Sequence, residues 1–183
     1  MQTYVAFLRA INVAGHAIVK MTDLRDAFAA AGCKNVRTYI QSGNVIFDCP
    51  QEKSAAIFKR IRTKLRALLG NEPGILFRTL EEIDALVKAA PFRDFIAERA
   101  IKLYVAFLSE KPHTKPKLPL ASPKEFVEAI AMNDFEIFIV SHPKPNGFFG
   151  FPNNFIEKEL GVSATSRNWS TVTKIVAFAR LAQ

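Results

Sequence analysis

From Tyr4 to Leu8 the stretch "TYVAFLRA" is apolar at every position, and Arg9 is the first charge to break it. A run apolar on both faces predicts a strand inside a sheet, not a half-wet edge. The same five residues, YVAFL, return as Tyr104–Leu108. After the first copy, "INVAGHAIVK" reads as a loop. Leu24, Ala27, Phe28 and Ala31 then recur at helical spacing, with Thr22 placed as an N-cap and Gly32 as a stop. "VRTYI" and "NVIFD" read as two short strands joined through "QSG". Lys53 to Leu69 carries the clearest helical period in the chain, and "GILFR" reads as the next strand. "TLEEIDALVKAA" closes this half as a helix, with Thr79 and Glu82 spaced as a capping box and Pro91 at its end.

The stretch around the second YVAFL parses in the same order. A proline- and lysine-rich loop follows it, and Pro123 to Ala131 is expected to form a helix with proline in its first turn. "FEIFIV" is a strand, "SHPKPNG" a turn with the Asn146-Gly147 signal, and "FFGF" a short return strand. A short helix over Asn154–Leu160 and a strand at "VSATSR" lead to a C-terminal helix with Val172, Ile175, Val176, Ala179 and Leu181 on one stripe. Each half therefore reads as βαββαβ plus a helix, the split-βαβ order of a ferredoxin-like unit. The expected fold class is α+β: tandem duplicated ferredoxin-like halves over 1–91 and 101–183, the second ending in a helix. Because both faces of the YVAFL strands need cover, the halves are expected to pack as one compact body.

Charge adds one bias, a formal +8 with a pI near 9.7. Such a surface attracts polyanions and acidic ligands, although excess lysine also serves solubility alone. The N-terminus lacks the pattern of a signal peptide, and no apolar run approaches the roughly 18–20 residues that span a bilayer. No membrane partner is expected. Cys33 and Cys49 form neither a CxxC nor a disulfide framework, which fits a reducing cytoplasm. Phosphate-loop, dinucleotide, nucleophile-elbow and zincin motifs are absent, so the sequence points to no catalytic group. His16, His113 and His142 are too scattered for a metal site, and neither a metal nor a cofactor is implied.

Candidate chemistry lies in five stretches. Lys53, Lys59, Arg60, Arg62, Lys64 and Arg66 crowd the best helix, with no acid after Glu52. They read either as a polyanion-binding face or as a solvated one. "NGFFGF" places Phe148, Phe149 and Phe151 beside a turn; core packing is the expected use and base stacking the other. Near the start, Arg9 ends an apolar strand and is followed by Asn12, Gly15, His16 and Lys20. Gln41, Ser42 and Asn44 populate the hairpin turn. Arg167, Asn168, Trp169 and Thr171 bracket the start of the last helix, where they either hold an anion or simply cap and pack. The loop after the first strand is expected at the opposite end of the sheet from the hairpin, roughly 17–20 Å away. The segment after the last strand is expected at the hairpin end of its own half.

Three of these stretches, "LRAINVAGH", "VRTYIQSGNVIF" and "SRNWSTVTK", carry a resemblance. In that order the chain resembles the bacterial family catalogued as domain of unknown function sixteen-ninety-seven, over nearly its whole length. The family more typically has glycines where Ala10 and Ala14 stand here, and often Asn in place of Ser170. The resemblance implies the tandem ferredoxin-like arrangement. It marks Arg9, Asn12, Gln41, Ser42, Asn44, Arg167, Asn168, Trp169 and Thr171 as signature positions, without assigning them roles. Three functions stay open: binding of a phosphate-bearing or nucleic-acid ligand, a small-molecule enzyme with its site where the halves join, and a structural or interaction protein.

Overall fold

Tyr4 of the first strand stands opposite Phe47 on one side and Thr79 on the other, and Tyr104 of its later copy stands opposite Ile139 and Asn168. Both YVAFL segments are thus central strands with a neighbour at each edge, as their two-faced apolar pattern requires. The computed structural model describes residues 1–12, 18–95 and 100–181. Over these the chain is mixed α+β, with two antiparallel sheets and five α-helices. It divides into two compact units, residues 1–83 with 177–183 and residues 84–176.

In the first unit, β1 (Gln2–Leu8) lies between β3 (Asn44–Cys49) and β4 (Ile75–Thr79). β2 (Lys34–Tyr39) sits outside β3, giving the order β2-β3-β1-β4. Tyr4, Ala6 and Leu8 join Val45 and Phe47 under α1 (Met21–Ala30) and α2 (Ser54–Leu69), which contribute Leu24, Phe28, Ile57, Ile61 and Leu65. Tyr4 meets Phe58 edge-on at 5.1 Å, and Phe28 meets Phe47 at 5.2 Å. Truncating a ring as buried as Phe47 costs about 3–5 kcal/mol. Val5, Phe7 and Ile46, on the other face, are buried too. α1 starts at Met21, with Lys20 and not Thr22 at the cap and no side chain capping it.

At the other end of this unit, Thr79 and Glu82 form the expected capping box at the start of α3 (Leu80–Ala89). The Thr79 N–H donates to Glu82 Oε2 at 2.7 Å, and the Glu82 N–H donates to Thr79 Oγ1 at 3.1 Å. The terminal residues join the unit through β2. Arg37 donates to the carbonyls of Phe178 and Ala179 at 3.4 and 3.5 Å, a cation at a helix C-terminus, and Tyr39 packs on the Phe178 ring.

In the second unit, β5 (Lys102–Leu108) lies between β8 (Glu136–Ser141) and β9 (Ala164–Asn168). β7 (Val127–Met132) and β6 (Leu120–Ser122) extend the sheet, giving β6-β7-β8-β5-β9. α4 (Asn153–Leu160) covers Tyr104, Ala106 and Leu108 with Phe155, Ile156 and Leu160, and α5 (Trp169–Arg180) follows β9. The helix expected from Pro123 to Ala131 is not there. Those residues form a turn and then β7, so this unit runs ββββαβ before its last helix, and βαββαβ describes only the first. Alanine, glutamate and methionine in "VEAIAM" are helix formers. Ladders to β6 and β8, with Val127 and Ala129 buried, override that preference. "FFGF" is not a strand either: Phe149 makes one isolated bridge, to Pro143.

Candidate functional site

The loop after β1 and the hairpin turn between β2 and β3 share one end of the first sheet, contrary to the expected separation. β1 and β3 are antiparallel, so the end of one lies beside the start of the other, with Phe7 opposite Asn44. Arg9, Asn12, Gln41, Ser42 and Asn44 consequently gather there. Asn12 donates Nδ2 to the carbonyls of Val19 at 3.0 Å and Gln41 at 3.2 Å, while its Oδ1 accepts the Val19 N–H at 2.7 Å. Its φ of 54° is one that asparagine tolerates better than most residues. Asn44 is fully buried and donates Nδ2 to the Tyr39 carbonyl at 3.1 Å and to Ser42 Oγ at 2.9 Å. Gly43, between them, has φ +72°, and its carbonyl accepts the Leu8 N–H at 2.8 Å. A Cβ there would come within 2.9 Å of Leu8 Cβ, so the turn and strand can approach this closely only with glycine. Gly15 and His16 lie outside the described residues.

Arg9, half-buried, donates its backbone N–H to the Gly74 carbonyl at 2.7 Å. With Ile11, Leu69, Asn71, Glu72 and Pro73 it lines a pocket of about 230 Å³ beside the end of α2. The pocket carries both signs of charge, from Arg9 and Glu72, and Glu72 accepts from Arg66 outside it.

The signature segment of the second unit leaves β9 at the end opposite the β7–β8 turn, not beside it. β9 runs antiparallel to β5, with Asn168 opposite Tyr104, whereas Glu136 stands opposite Phe107. Asn168 is exposed and directly precedes α5; Thr171 is half-buried in the first turn of that helix. Trp169 packs edge-on against the fully buried Phe92 at 5.2 Å. Arg167 donates Nη1 to the Ser166 carbonyl at 2.9 Å, and burial pulls its guanidinium down to about 10, which leaves it charged at neutral pH. The sequence reading passed over its counterpart, Arg78. Arg78 stands opposite Val5 as Arg167 stands opposite Val105, and it donates Nη1 to the Phe77 carbonyl at the same 2.9 Å. Aligning the two YVAFL segments and reading outward to "FRT" and "SRN" would have found it.

The six cations around α2 do not form one face. At 3.6 residues per turn, Lys53, Arg60 and Lys64 fall on one flank of the apolar stripe and Lys59, Arg62 and Arg66 on the other. Arg62 is drawn inward: it donates to the Ile75 carbonyl at 3.0 Å and lies 5.5 Å from the Phe77 ring centre. Arg66 pairs with Glu72, and the Arg60 guanidinium lies beside Gly32, just past the end of α1. Lys53, Lys59, Arg60 and Lys64 are exposed and make no ion pair among the described residues.

Core packing fails as the account of two phenylalanines. Phe148 is 72 % exposed and Phe151 54 % exposed, because the segment after Asn146-Gly147 never enters the sheet. No helix among the described residues is long and apolar enough to cross a membrane, and those residues offer no cluster of three or more potential metal ligands.

The family described as "Protein of unknown function (DUF1697)" matches residues 1–138. The chain belongs to that family. The DUF1697 match takes in the loop-end cluster and the α2 cations, and it stops before Arg167–Thr171. Among solved structures, the conserved bacterial protein SP0830 from Streptococcus pneumoniae is similar, with a TM-score of 0.60 and 18 % identity over 96 % of this chain and 97 % of that one. At that identity the likeness is one of fold. No curated protein matches the chain.

Proposed function

We propose that this DUF1697 protein binds a phosphate-bearing polyanion, nucleic acid foremost, through the outward cations of α2. One observation carries the reading: Lys53, Lys59, Arg60 and Lys64 stand exposed without an ion pair among the described residues, at a helix that has no acid from Ser54 to Leu69. A solvated helix face more often alternates its signs of charge. The net charge of +8 favours the same partner at long range. The test is fluorescence anisotropy of a labelled single-stranded RNA and a labelled DNA duplex at two salt concentrations. With about four phosphate contacts, affinity falls on the order of a hundredfold between roughly 50 and 200 mM salt. Arg60→Glu with Lys64→Glu removes most of the binding. Absence of binding at low salt returns α2 to a solvated face.

The pocket at Arg9 favours a second reading, a phosphorylated small molecule held by that guanidinium. Its test is thermal stabilisation by sugar phosphates that tolerates salt and disappears in Arg9→Gln.

The architecture behind either reading is a tandem ferredoxin-like duplication, with repeats over 1–91 and 101–183. Its support is the shared order β2-β3-β1-β4 and β7-β8-β5-β9, and the paired Arg78 and Arg167.

A further inference from the structure

In the first unit two helices cover the Tyr4 face of the sheet, whereas in the second α4 alone supplies helical cover to the Tyr104 face. The segment from His142 to Phe151 folds back over the start of β5 instead. Phe149 lies over Lys102, whose Nζ is 4.4 Å from the ring centre, and Phe151 meets Tyr104 edge-on at 5.8 Å. Lys102 and Tyr104 are two apart on β5 and so share a face, and the two phenylalanines follow them at the same spacing. Phe148, at the tip, is the most exposed aromatic ring of the described residues.

The segment is held in place. The His142 N–H donates to the Phe126 carbonyl and the Lys144 N–H to the Phe148 carbonyl, both at 2.8 Å. Asn146 Oδ1 accepts the Phe148 N–H at 3.1 Å, and Ser141 Oγ donates to the Gly150 carbonyl at 3.1 Å. Gly150 lies so close to the turn before β7 that a Cβ on it would fall 1.8 Å from the Glu125 carbonyl oxygen. The rings are therefore presented by a fixed backbone, and binding on them would spend little ordering entropy.

Charge selects the occupant. Residues 141–151 contain no acid, Lys144 lies within the segment, and Lys102 lies against the Phe149 ring. Glu125, the neighbouring carboxylate, is neutralised by Lys144 at 3.2 Å. A second copy of this cationic patch would be repelled, while a polyanion with flat, apolar groups matches both features. Paired bases are already stacked and offer no face to a protruding ring; unpaired bases do. We propose that Phe148 and Phe151 are a stacking platform for single-stranded nucleic acid, with Lys102 beside its phosphates. The inference rests on the polyanion reading above and names the strand state that this second surface selects.

The experiment titrates the full chain into labelled short oligothymidylate and into a labelled duplex at low salt. Phe148→Ala with Phe151→Ala weakens single-strand binding about tenfold or more and leaves duplex binding within about twofold, the pattern of lost base stacking. Both rings are exposed, so the variant retains its fold. Phe148→Trp keeps the affinity, and its added indole fluorescence is quenched as the oligonucleotide binds. If the double variant binds single strands like the parent while Arg60→Glu with Lys64→Glu abolishes binding, the platform is overturned and the polyanion reading stands. If the parent chain binds neither probe, both fall. If the double variant instead abolishes a concentration-dependent dimer, the occupant is a second copy and the proposal is overturned.

Discussion

Arg66 donates to one oxygen of the Glu72 carboxylate from both Nε, at 2.6 Å, and Nη2. Both side chains are more than half exposed, 66 % and 55 %, so the pair adds at most about 1 kcal/mol to stability. Its larger effect is on the field of α2, where Glu72 cancels one of the cations. Glu72→Gln is expected to leave thermal stability nearly unchanged, to tighten polyanion binding severalfold, and to steepen the salt dependence by about one phosphate contact. Unchanged affinity in a salt titration of this variant would move the contact surface away from that end of α2.

Asn12 predicts a different kind of loss. Its amide closes one loop on itself and onto the hairpin turn with three hydrogen bonds. Asn12→Ala leaves the Val19 N–H and two carbonyls in search of water and is expected to cost about 1–3 kcal/mol. Denaturant unfolding measures this directly. Weakened ligand binding at an unchanged unfolding midpoint would instead make Asn12 a contact residue.

Backbone conformation at the same end supplies a matched pair of tests. Ala10 has φ 55°, a region that costs an L-residue roughly 1–2 kcal/mol and that glycine adopts freely. Ala10→Gly gives up part of that gain to unfolded-chain entropy, so a net stabilisation of up to about 1 kcal/mol, or about 2–4 °C, is expected. Gly43→Ala goes the other way, by roughly 2 kcal/mol or more, because φ +72° and the 2.9 Å approach to Leu8 Cβ both oppose a side chain. A melting curve of each variant decides; stabilisation by Gly43→Ala would mean that the turn does not hold this geometry.

Cys33 sets a pH dependence. Burial, with a smaller contribution from Cys49, pushes its thiol from 9.0 up to about 12, against a lowering by Arg60. Below pH 9 the thiol is protonated in both states and adds no slope. From pH 9 to about 12 the unfolded chain loses this proton first, so stability falls as pH rises. Urea midpoints at about pH 8 and about pH 10 should therefore separate more for the parent chain than for Cys33→Ala. Equal separations would show that the thiol ionises alike in both states.

Local signals in the sequence translated well. Thr79 and Glu82 cap a helix because their reciprocal bonds span only three residues. YVAFL reads as a central strand because apolar residues on both faces leave few alternatives. What failed depended on neighbours distant in sequence. "VEAIAM" is a strand because β8 pairs with it, a ladder that composition does not announce. The clustering of Asn12 with Gln41 follows from β1 and β3 running antiparallel, a pairing that neither segment shows by itself. At the candidate sites, residue positions were legible but their bonds were not. Asn12 binds a carbonyl 29 positions away, and Phe148 and Phe151 are exposed because a short turn holds its return segment off the sheet.

The two hydrogen bonds between Asn12 and Val19 have a topological consequence. One side-chain amide thus clamps chain position 12 to chain position 19. A clamp of this kind makes chain length a cheap variable in general, since each doubling of a flexible loop costs only about 0.6 kcal/mol. Lengthening the chain between Asn12 and Val19 is therefore expected to leave the first sheet folded, with a melting curve of the insertion variant as the check.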